Sequence, residues 1–144
     1  MPYLETFQQA LGVIRARFPW LIVRELSEHP QVDALVELPV QAGLSLPIQL
    51  NLQNDELHLV ASSLWVEWFP CTKAERVEGY VQAVTGLLSG ELEIQETFIL
   101  GRPVSAVLRR RGEPSECLAR WSNLFALLPF PRTRRVVCNA SAAA

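Results

Sequence analysis

The chain has 144 residues, of which 49% are apolar and 19% are charged, and its formal net charge is −2. This length and apolar content predict one globular domain with its own core, which argues against two full domains and against global disorder. No apolar run reaches the ~18–20 residues of a membrane span and the first residues carry no secretion signal, so we expect a cytoplasmic protein without a membrane partner.

An amphipathic helix is the first predicted element. Apolar side chains recur every three or four residues, which places them on one helical face. Pro2 suits the start of this helix, and Pro19 ends it. The apolar stripe consists of Leu4, Phe7, Leu11, Ile14 and Phe18.

Strands follow the helix. The segment 20–26 is rich in Val, Ile and Trp, and apolar and polar side chains alternate in 32–38 and 46–53. Alternation with a period of two predicts a sheet with one wet face. Pro47 has no N–H to donate, so we expect the third strand, or its start, to lie at a sheet edge.

Two turn signals come next. Asn54-Asp55 predicts a turn that leads into a strand over 56–61. The parity of the apolar positions then changes at Ser62-Ser63. This change indicates either a β-bulge or a break between two short strands.

A second helix begins near Thr72, because Thr72-Lys73-Ala74-Glu75 matches the capping box. Gly90 is well placed to end this helix. Its apolar stripe consists of Val77, Tyr80, Val81, Val84, Leu87 and Leu88.

Residues 91–111 predict a β-hairpin whose strands flank Gly101-Arg102-Pro103. We expect a three-residue loop, because that register gathers the apolar side chains on one face and a two-residue loop would scatter them. On the other face the same register sets Glu93 opposite Arg111.

Residues 114–128 predict a third helix, which starts at Pro114 and ends before Pro129 and Pro131. A short strand over 134–139 follows. The apolar stripe of this third helix consists of Leu118, Trp121, Leu124, Phe125 and Leu128.

The predicted order is α-β(3-4)-α-β-β-α. Because strands and helices do not alternate regularly, a parallel sheet is disfavoured. We predict an α+β fold in which a single antiparallel sheet of about five or six strands has its helices packed mainly on one face. Residues 1–139 form the single globular domain, and 140–144 form a flexible C-terminal tail.

This order of elements resembles that of the dimeric type III secretion chaperones. The resemblance covers most of the chain, through the segments 4–18, 72–89, 91–111 and 114–128. It implies a chaperone-like protein that forms a homodimer, and it transfers no functional residue because it is one of fold alone. The chain departs from this family in its charge, since those chaperones tend to be acidic throughout.

Charge is divided unevenly along the chain. Residues 1–100 carry five basic and thirteen acidic side chains, whereas residues 101–144 carry eight basic and two acidic ones. The two parts attract each other within one fold or across a dimer, or the basic part binds an anionic partner. A strand would spread Arg109 and Arg111 over the face opposite Arg110, and the acidic part repels nucleic acid. We therefore expect no nucleic-acid partner. Arg109 and Arg111 are binding candidates, and the alternative is that they are solvated side chains that neutralise Glu91, Glu93 and neighbouring carboxylates.

Sequence motifs for nucleotide binding, serine hydrolysis and zinc proteolysis are missing, so we expect no cofactor. His29 and His58 share no ligand spacing, and the three cysteines form no C-x-x-C pair. We therefore expect reduced thiols and no metal.

Cys71 is the first catalytic candidate. It lies close to a helix N-terminus, where a thiol can have a lowered pKa, and His58 on a nearby strand is a candidate base. The alternative is that Cys71 is a small apolar side chain that covers the helix start.

Glu96 is the second catalytic candidate, because the predicted register places it on the apolar side of the hairpin. A buried carboxyl with a raised pKa can act as an acid or a base. The alternative is a structural ion pair with Arg110 near the end of the sheet, or simple exposure of Glu96 at the rim of the sheet.

Trp65, Trp68 and Phe69 cluster with Glu67 just before Pro70. If the second face of the sheet is open, these aromatic side chains form a binding platform. The alternative is that one indole belongs to the core and the other packs under a helix.

Taken together, these signals favour a non-enzymatic protein-interaction or chaperone-like module that acts as a homodimer and possesses no recognisable catalytic signature. The alternative is a small-molecule-binding domain or enzyme with a pocket between sheet and helices. Its candidate side chains are Cys71, His58, Glu67 and Glu96, which would have to converge there.

Overall fold

The computed structural model describes residues 2–26 and 30–140. Within these ranges the chain forms two α-helices, α1 (Pro2–Arg17) and α2 (Ala74–Ser89), a 3₁₀ turn (Leu124–Leu127) and nine strands. The strands are β1 (Arg24–Leu26), β2 (Ala34–Leu38), β3 (Ile48–Gln53), β4 (Glu56–Ala61), β5 (Leu64–Trp68), β6 (Leu92–Ile99), β7 (Arg102–Arg110), β8 (Cys117–Ser122) and β9 (Arg132–Val137).

The strands form two antiparallel sheets. The first sheet is a five-stranded meander with the order β1-β2-β3-β4-β5, and the second has four strands in the order β8-β7-β6-β9. The predicted α+β class is confirmed, whereas the predicted single sheet is wrong. The reason is that the β6–β7 hairpin pairs with β8 on one side and β9 on the other, so neither of its edges joins the first sheet.

One hydrophobic core unites both helices and both sheets. The face of the first sheet that enters this core is called the inner face here, and the opposite face is called the outer face. Helix α1 contributes Phe7, Leu11 and Ile14, which are among the predicted stripe. In α2, the fully buried Tyr80 donates a hydrogen bond of 3.0 Å from its hydroxyl to the carbonyl oxygen of His58.

Helix α2 begins differently from the prediction. Lys73 is its N-cap residue and makes no side-chain capping bond, so the capping box of Thr72 and Glu75 does not form. Gly90 ends the helix in the left-handed conformation with a φ of 79°, as expected for a residue without a Cβ atom.

Two tight turns set the register of the first sheet. Asn54-Asp55 joins β3 to β4, and Ser62-Ser63 joins β4 to β5, so that Ala61 lies opposite Leu64. The break between two strands is therefore the correct alternative at Ser62-Ser63. Pro47 lies just before β3, but β3 is an interior strand, so the predicted edge position is wrong.

The predicted three-residue loop of the second hairpin is also wrong. Leu100 and Gly101 form a two-residue turn with φ values of 52° and 76°, a combination that suits the twist of a hairpin. A bulge at Thr97/Phe98 then shifts the register and returns the apolar side chains to one face. As a result Glu93 lies opposite Arg109 and not opposite Arg111.

The predicted third helix over 114–128 is replaced by β8 and the 3₁₀ turn. Ala119 and Trp121 pack against the core from β8, and Asn123 accepts a hydrogen bond of 3.1 Å from the N–H of Phe125. The apolar spacing fits a helix equally well, but pairing with β7 decides the conformation. Within the described residues, no helix has the length and apolar character required to cross a bilayer.

Asn139 ties the C-terminal end of the described chain to the core. Its fully buried side chain accepts hydrogen bonds from the N–H and hydroxyl of Ser45 and donates to the carbonyl oxygens of Gly43 and Leu88. The last two bonds measure 2.9 and 2.8 Å. Of the predicted tail over 140–144, residues 141–144 lie outside the described part.

We expect Asn139→Ala to lower the free energy of unfolding by about 1–3 kcal/mol, because it leaves the buried carbonyl group of Leu88 and the partly buried bonding groups of Ser45 and Gly43 without a partner. Urea denaturation followed by fluorescence measures this change. Asn123→Ala, which removes an exposed cap, serves as the control and should cost less. An unchanged unfolding midpoint in Asn139→Ala would show that the hydrogen bonds of Asn139 do not stabilise the fold.

Candidate functional site

A row of side chains crosses the outer face of the first sheet. In the observed register Leu35 lies opposite Asn51, Asn51 opposite His58, and His58 opposite Glu67. Directly opposed residues have Cβ atoms about 4.5–5.5 Å apart. The two tight turns therefore bring three polar side chains from three strands into one neighbourhood.

Glu56, His58 and Glu67 form the acid–imidazole cluster. The Nε2 atom of His58 lies 2.9 Å from Oε2 of Glu56 and 3.7 Å from Oε2 of Glu67. The His58 side chain is only 4% exposed, whereas the two carboxylates are 35% and 46% exposed. The cluster thus joins a buried imidazole to two carboxylates that reach solvent.

Trp65 completes the contacts of the imidazole. Its indole Nε1–H donates to Nδ1 of His58 over 3.3 Å. A ring nitrogen that accepts a hydrogen bond carries no proton, so the neutral tautomer with the proton on Nε2 satisfies both contacts, with Nε2–H donating to Glu56.

Asn51 is buried beside this cluster. It is 7% exposed, and its Oδ1 atom has no hydrogen-bond partner within the described residues. Asn51, His58 and Trp65 line the same shallow cavity of about 480 Å³ on the outer face. A buried carbonyl oxygen without a partner is rare in folded proteins.

Helix α2 fixes the backbone of this site from the inner face. The hydroxyl of Tyr80 donates to the carbonyl oxygen of His58, and burial raises the pKa of Tyr80, which keeps the donor protonated. The backbone of β4 at the site is therefore fixed by a hydrogen bond from the core on the inner face.

The structure separates the predicted aromatic platform. Trp65 is 52% exposed on the outer face, whereas Trp68 turns to the inner face and packs on Tyr80 with ring centroids 5.6 Å apart. Phe69 is half-exposed and follows the end of β5. An odd spacing along a strand places two side chains on opposite faces, so Trp65 and Trp68 do not share a surface.

Cys71 and His58 do not form a catalytic pair. Cys71 is buried in the core, and its backbone N–H donates to the carbonyl oxygen of Asp55, whereas His58 lies on the outer face. Burial raises the pKa of the Cys71 thiol, and the nearby charge of Asp55 raises it further. Both effects oppose the thiolate that a nucleophile requires.

Glu96 is a structural carboxylate. It is buried and accepts hydrogen bonds from the hydroxyls of Ser62, at 2.9 Å, and Ser63, and from the guanidinium of Arg135 at 3.0 Å. Burial raises the pKa of Glu96, but the bonds from Ser63, Ser62 and Arg135 outweigh it and hold the pKa below its ordinary value. The sequence predicted either a raised pKa for Glu96 or a pair with Arg110, whereas Arg110 pairs with Glu116 at 2.6 Å.

The two arginine candidates also separate. Arg109 is largely buried and forms an ion pair of 2.9 Å with Glu93, and it donates a further bond of 3.0 Å to Gln95. Arg111 follows the end of β7 and is exposed. Arg109 therefore neutralises a carboxylate of its own sheet, and the two side chains form no joint patch.

Sequence reasoning named His58, Trp65 and Glu67 but missed Glu56 and Asn51. Both could have been found from the sequence. Two-residue turns at Asn54-Asp55 and Ser62-Ser63 determine which side chains of the neighbouring strands lie opposite each other. Of the histidines considered as metal ligands, His29 lies outside the described residues.

An exposed apolar segment was missed as well. Residues 124–130, assigned by sequence to a third helix and its end, place large apolar side chains in solvent, with Leu124 83% and Leu127 82% exposed. Phe125 and Phe130 are 61% and 46% exposed. This segment is called the apolar surface below.

We expect Cys71 to react with iodoacetamide in the native protein far more slowly than Cys117, because Cys71 is buried with a raised pKa and Cys117 is exposed. Peptide mass spectrometry at neutral pH measures the two rates. A faster reaction at Cys71 than at Cys117 would contradict this expectation and support Cys71 as a nucleophile.

We expect Glu96→Gln to lower the free energy of unfolding by about 1–3 kcal/mol at neutral pH. Since the folded pKa of Glu96 lies below the unfolded value of about 4.3, its contribution is present above that pH and is lost as the pH falls through the folded pKa. Urea titrations from pH 7 to acid should therefore show a weaker pH dependence in the variant than in the wild type.

Glu116→Gln, in the exposed pair with Arg110, is the matched control and should change stability little. If the two variants behave alike, the buried network does not contribute as described.

Compared with known proteins, the chain matches no family model, no curated protein and no solved structure. The element order that resembles type III secretion chaperones also loses its last helix, since β8 and a 3₁₀ turn occupy 117–127. The features of the structure that bear on function are therefore the apolar surface and the acid–imidazole cluster.

Proposed function

We propose that the protein is a non-enzymatic interaction module that forms a homodimer through the apolar surface. The observation that supports this proposal is the concentration of five exposed large apolar side chains within residues 124–130. Exposed large apolar side chains that are close together along the chain are typical of protein interfaces, because leaving them in water has a free-energy cost. A chaperone-like role toward another protein would use the same kind of surface.

The exposed segment is held in a defined conformation. Asn123 caps the 3₁₀ turn, and the guanidinium of Arg132 donates to the carbonyl oxygens of Ala126 and Leu128. Because the backbone is already ordered by these contacts, less conformational entropy is lost when a partner covers it.

A second copy of the chain is the proposed partner because of the charge that remains after pairing inside the chain. Arg109 and Arg135 pair with Glu93 and Glu96 of the same chain, whereas Arg102, Arg111, Arg120 and Arg134 form no ion pair within the described residues. Residues 101–144, which contain the apolar surface, carry eight basic and two acidic side chains, whereas residues 1–100 carry thirteen acidic and five basic ones. In a dimer with twofold symmetry, the basic part of each copy contacts the acidic part of the other, so the attraction occurs twice.

We expect the double variant Leu124→Ser/Leu127→Ser to be a monomer at concentrations where the wild type is a dimer. Each buried leucine stabilises an interface by about 1.5–3 kcal/mol, so the dimer dissociation constant should rise roughly 100-fold or more. Light scattering coupled to size-exclusion chromatography measures the mass, and circular dichroism should show that the monomer keeps the wild-type secondary structure, because neither side chain belongs to the core.

The matched control is Leu100→Ser, which removes an equally exposed leucine, 77% exposed, at the β6–β7 turn. This variant should remain a dimer. A monomeric wild type at about 100 µM would overturn the homodimer, and a dimer that survives the double variant would place the interface elsewhere.

Ligand binding is the second candidate function, and the acid–imidazole cluster favours it. The sequence predicted such a pocket between sheet and helices, where Cys71, His58, Glu67 and Glu96 would converge. The contacts described above favour the outer face instead, where only His58 and Glu67 of that set lie together with Glu56.

A further inference from the structure

We propose that the acid–imidazole cluster binds a divalent transition-metal ion, with Zn²⁺ as the ion that its ligands suit best. One ligand atom from each of Glu56, His58 and Glu67 lies within 4.8 Å of the other two. Imidazole nitrogen and carboxylate oxygen are both ordinary zinc ligands, and three protein ligands leave a position open. The imidazole disfavours Mg²⁺ and Ca²⁺, which take oxygen ligands.

The distances are close to those of a bound ion. Zinc–ligand bonds of about 2.0–2.1 Å at tetrahedral angles separate neighbouring ligand atoms by roughly 3.3 Å. The Nε2 atom of His58 lies 2.9 Å from one carboxylate and 3.7 Å from the other. These two values bracket the required separation. The oxygens of Glu56 and Glu67 lie within 4.8 Å of each other, and both carboxylates are partly exposed, so rotation of their side chains can bring them to the same separation.

Asn51 supplies an independent observation. Its side chain is more than nine-tenths buried, and its Oδ1 atom has no partner among the described residues. It lies directly opposite His58 on the same face and lines the same cavity. An amide oxygen in this position can ligate the ion or accept a hydrogen bond from a water molecule bound to it.

Coordination at Nε2 requires a proton to move. Nε2 gives up its proton to solvent so that its lone pair can bind the ion, and the neutral ring takes up a proton from solvent at Nδ1, the atom that now accepts from the indole of Trp65. Two N–H donors cannot bond to each other, so the indole must turn away. Trp65 is half-exposed, which leaves room for this movement.

The proposal therefore predicts an unusual effect of Trp65. Because the indole stabilises the tautomer that cannot bind metal at Nε2, Trp65→Phe should tighten zinc binding severalfold while the carboxylates remain in place. In the wild type, zinc should change the tryptophan fluorescence, and this change should be absent in Trp65→Phe.

The experiment is isothermal titration of the full chain, freed of metal by a chelator, with ZnCl₂. We expect one saturable site per chain, a higher unfolding temperature with zinc, and no competition from a large excess of Mg²⁺. The Glu67 side chain is half-exposed, so Glu67→Gln should leave the fold intact and weaken zinc binding by about 10-fold or more. His58→Gln should weaken zinc binding further.

Two controls distinguish this site from adventitious binding. Glu37→Gln removes another carboxylate of the outer face, and Cys117→Ser removes the exposed thiol, and neither should change the affinity. Absence of saturable binding, or equal affinity in wild type and Glu67→Gln, would overturn the site. If Trp65→Phe does not increase the affinity for zinc, the ion does not bind at Nε2 of His58.

This inference does not depend on the homodimer. The Leu124→Ser/Leu127→Ser variant should bind zinc with the wild-type affinity, because the apolar surface contributes no ligand. Failure of dimerisation and failure of metal binding are therefore separate results.

Discussion

The buried carboxylate of Glu96 is the contact on which the arrangement of the two sheets depends. It belongs to β6, accepts from the Ser62-Ser63 turn of the first sheet, and pairs with Arg135 of β9. A buried charge is tolerated only where it is paired and fully hydrogen-bonded, so these three partners must stay together. One side chain thereby fixes the β4–β5 turn against the second sheet, and no chemical role is needed to explain its burial.

The same turn determines the acid–imidazole cluster. Ser62-Ser63 sets His58 opposite Glu67, and Asn54-Asp55 sets His58 opposite Asn51. Tyr80 holds the backbone of His58 from the inner face. The polar site therefore depends on contacts of the core, and a site built on paired strands is more rigid than one built on a loop.

The apolar surface has a different origin. It follows β8 in the second sheet, where pairing with β7 prevents the helix that the apolar spacing would otherwise support. Leu124 and Leu127, which would lie on one side of such a helix, are left in solvent by the 3₁₀ turn. The proposed interface is thus a consequence of strand pairing, and it lies in the basic part of the chain.

The sequence by itself determined α1, α2, the end of α2 at Gly90 and the parity of the inner and outer faces. These features depend on periods of 3.6 and 2 residues and on local turn chemistry, which act over a few neighbouring residues. It also named His58, Trp65 and Glu67 as site candidates. Only the tertiary structure decided that 117–122 is a strand, that Glu96 meets Arg135 and that Asn51 joins the site. Such contacts join segments distant along the chain, and an apolar spacing that suits helix and strand alike is resolved only when the pairing partner is in place.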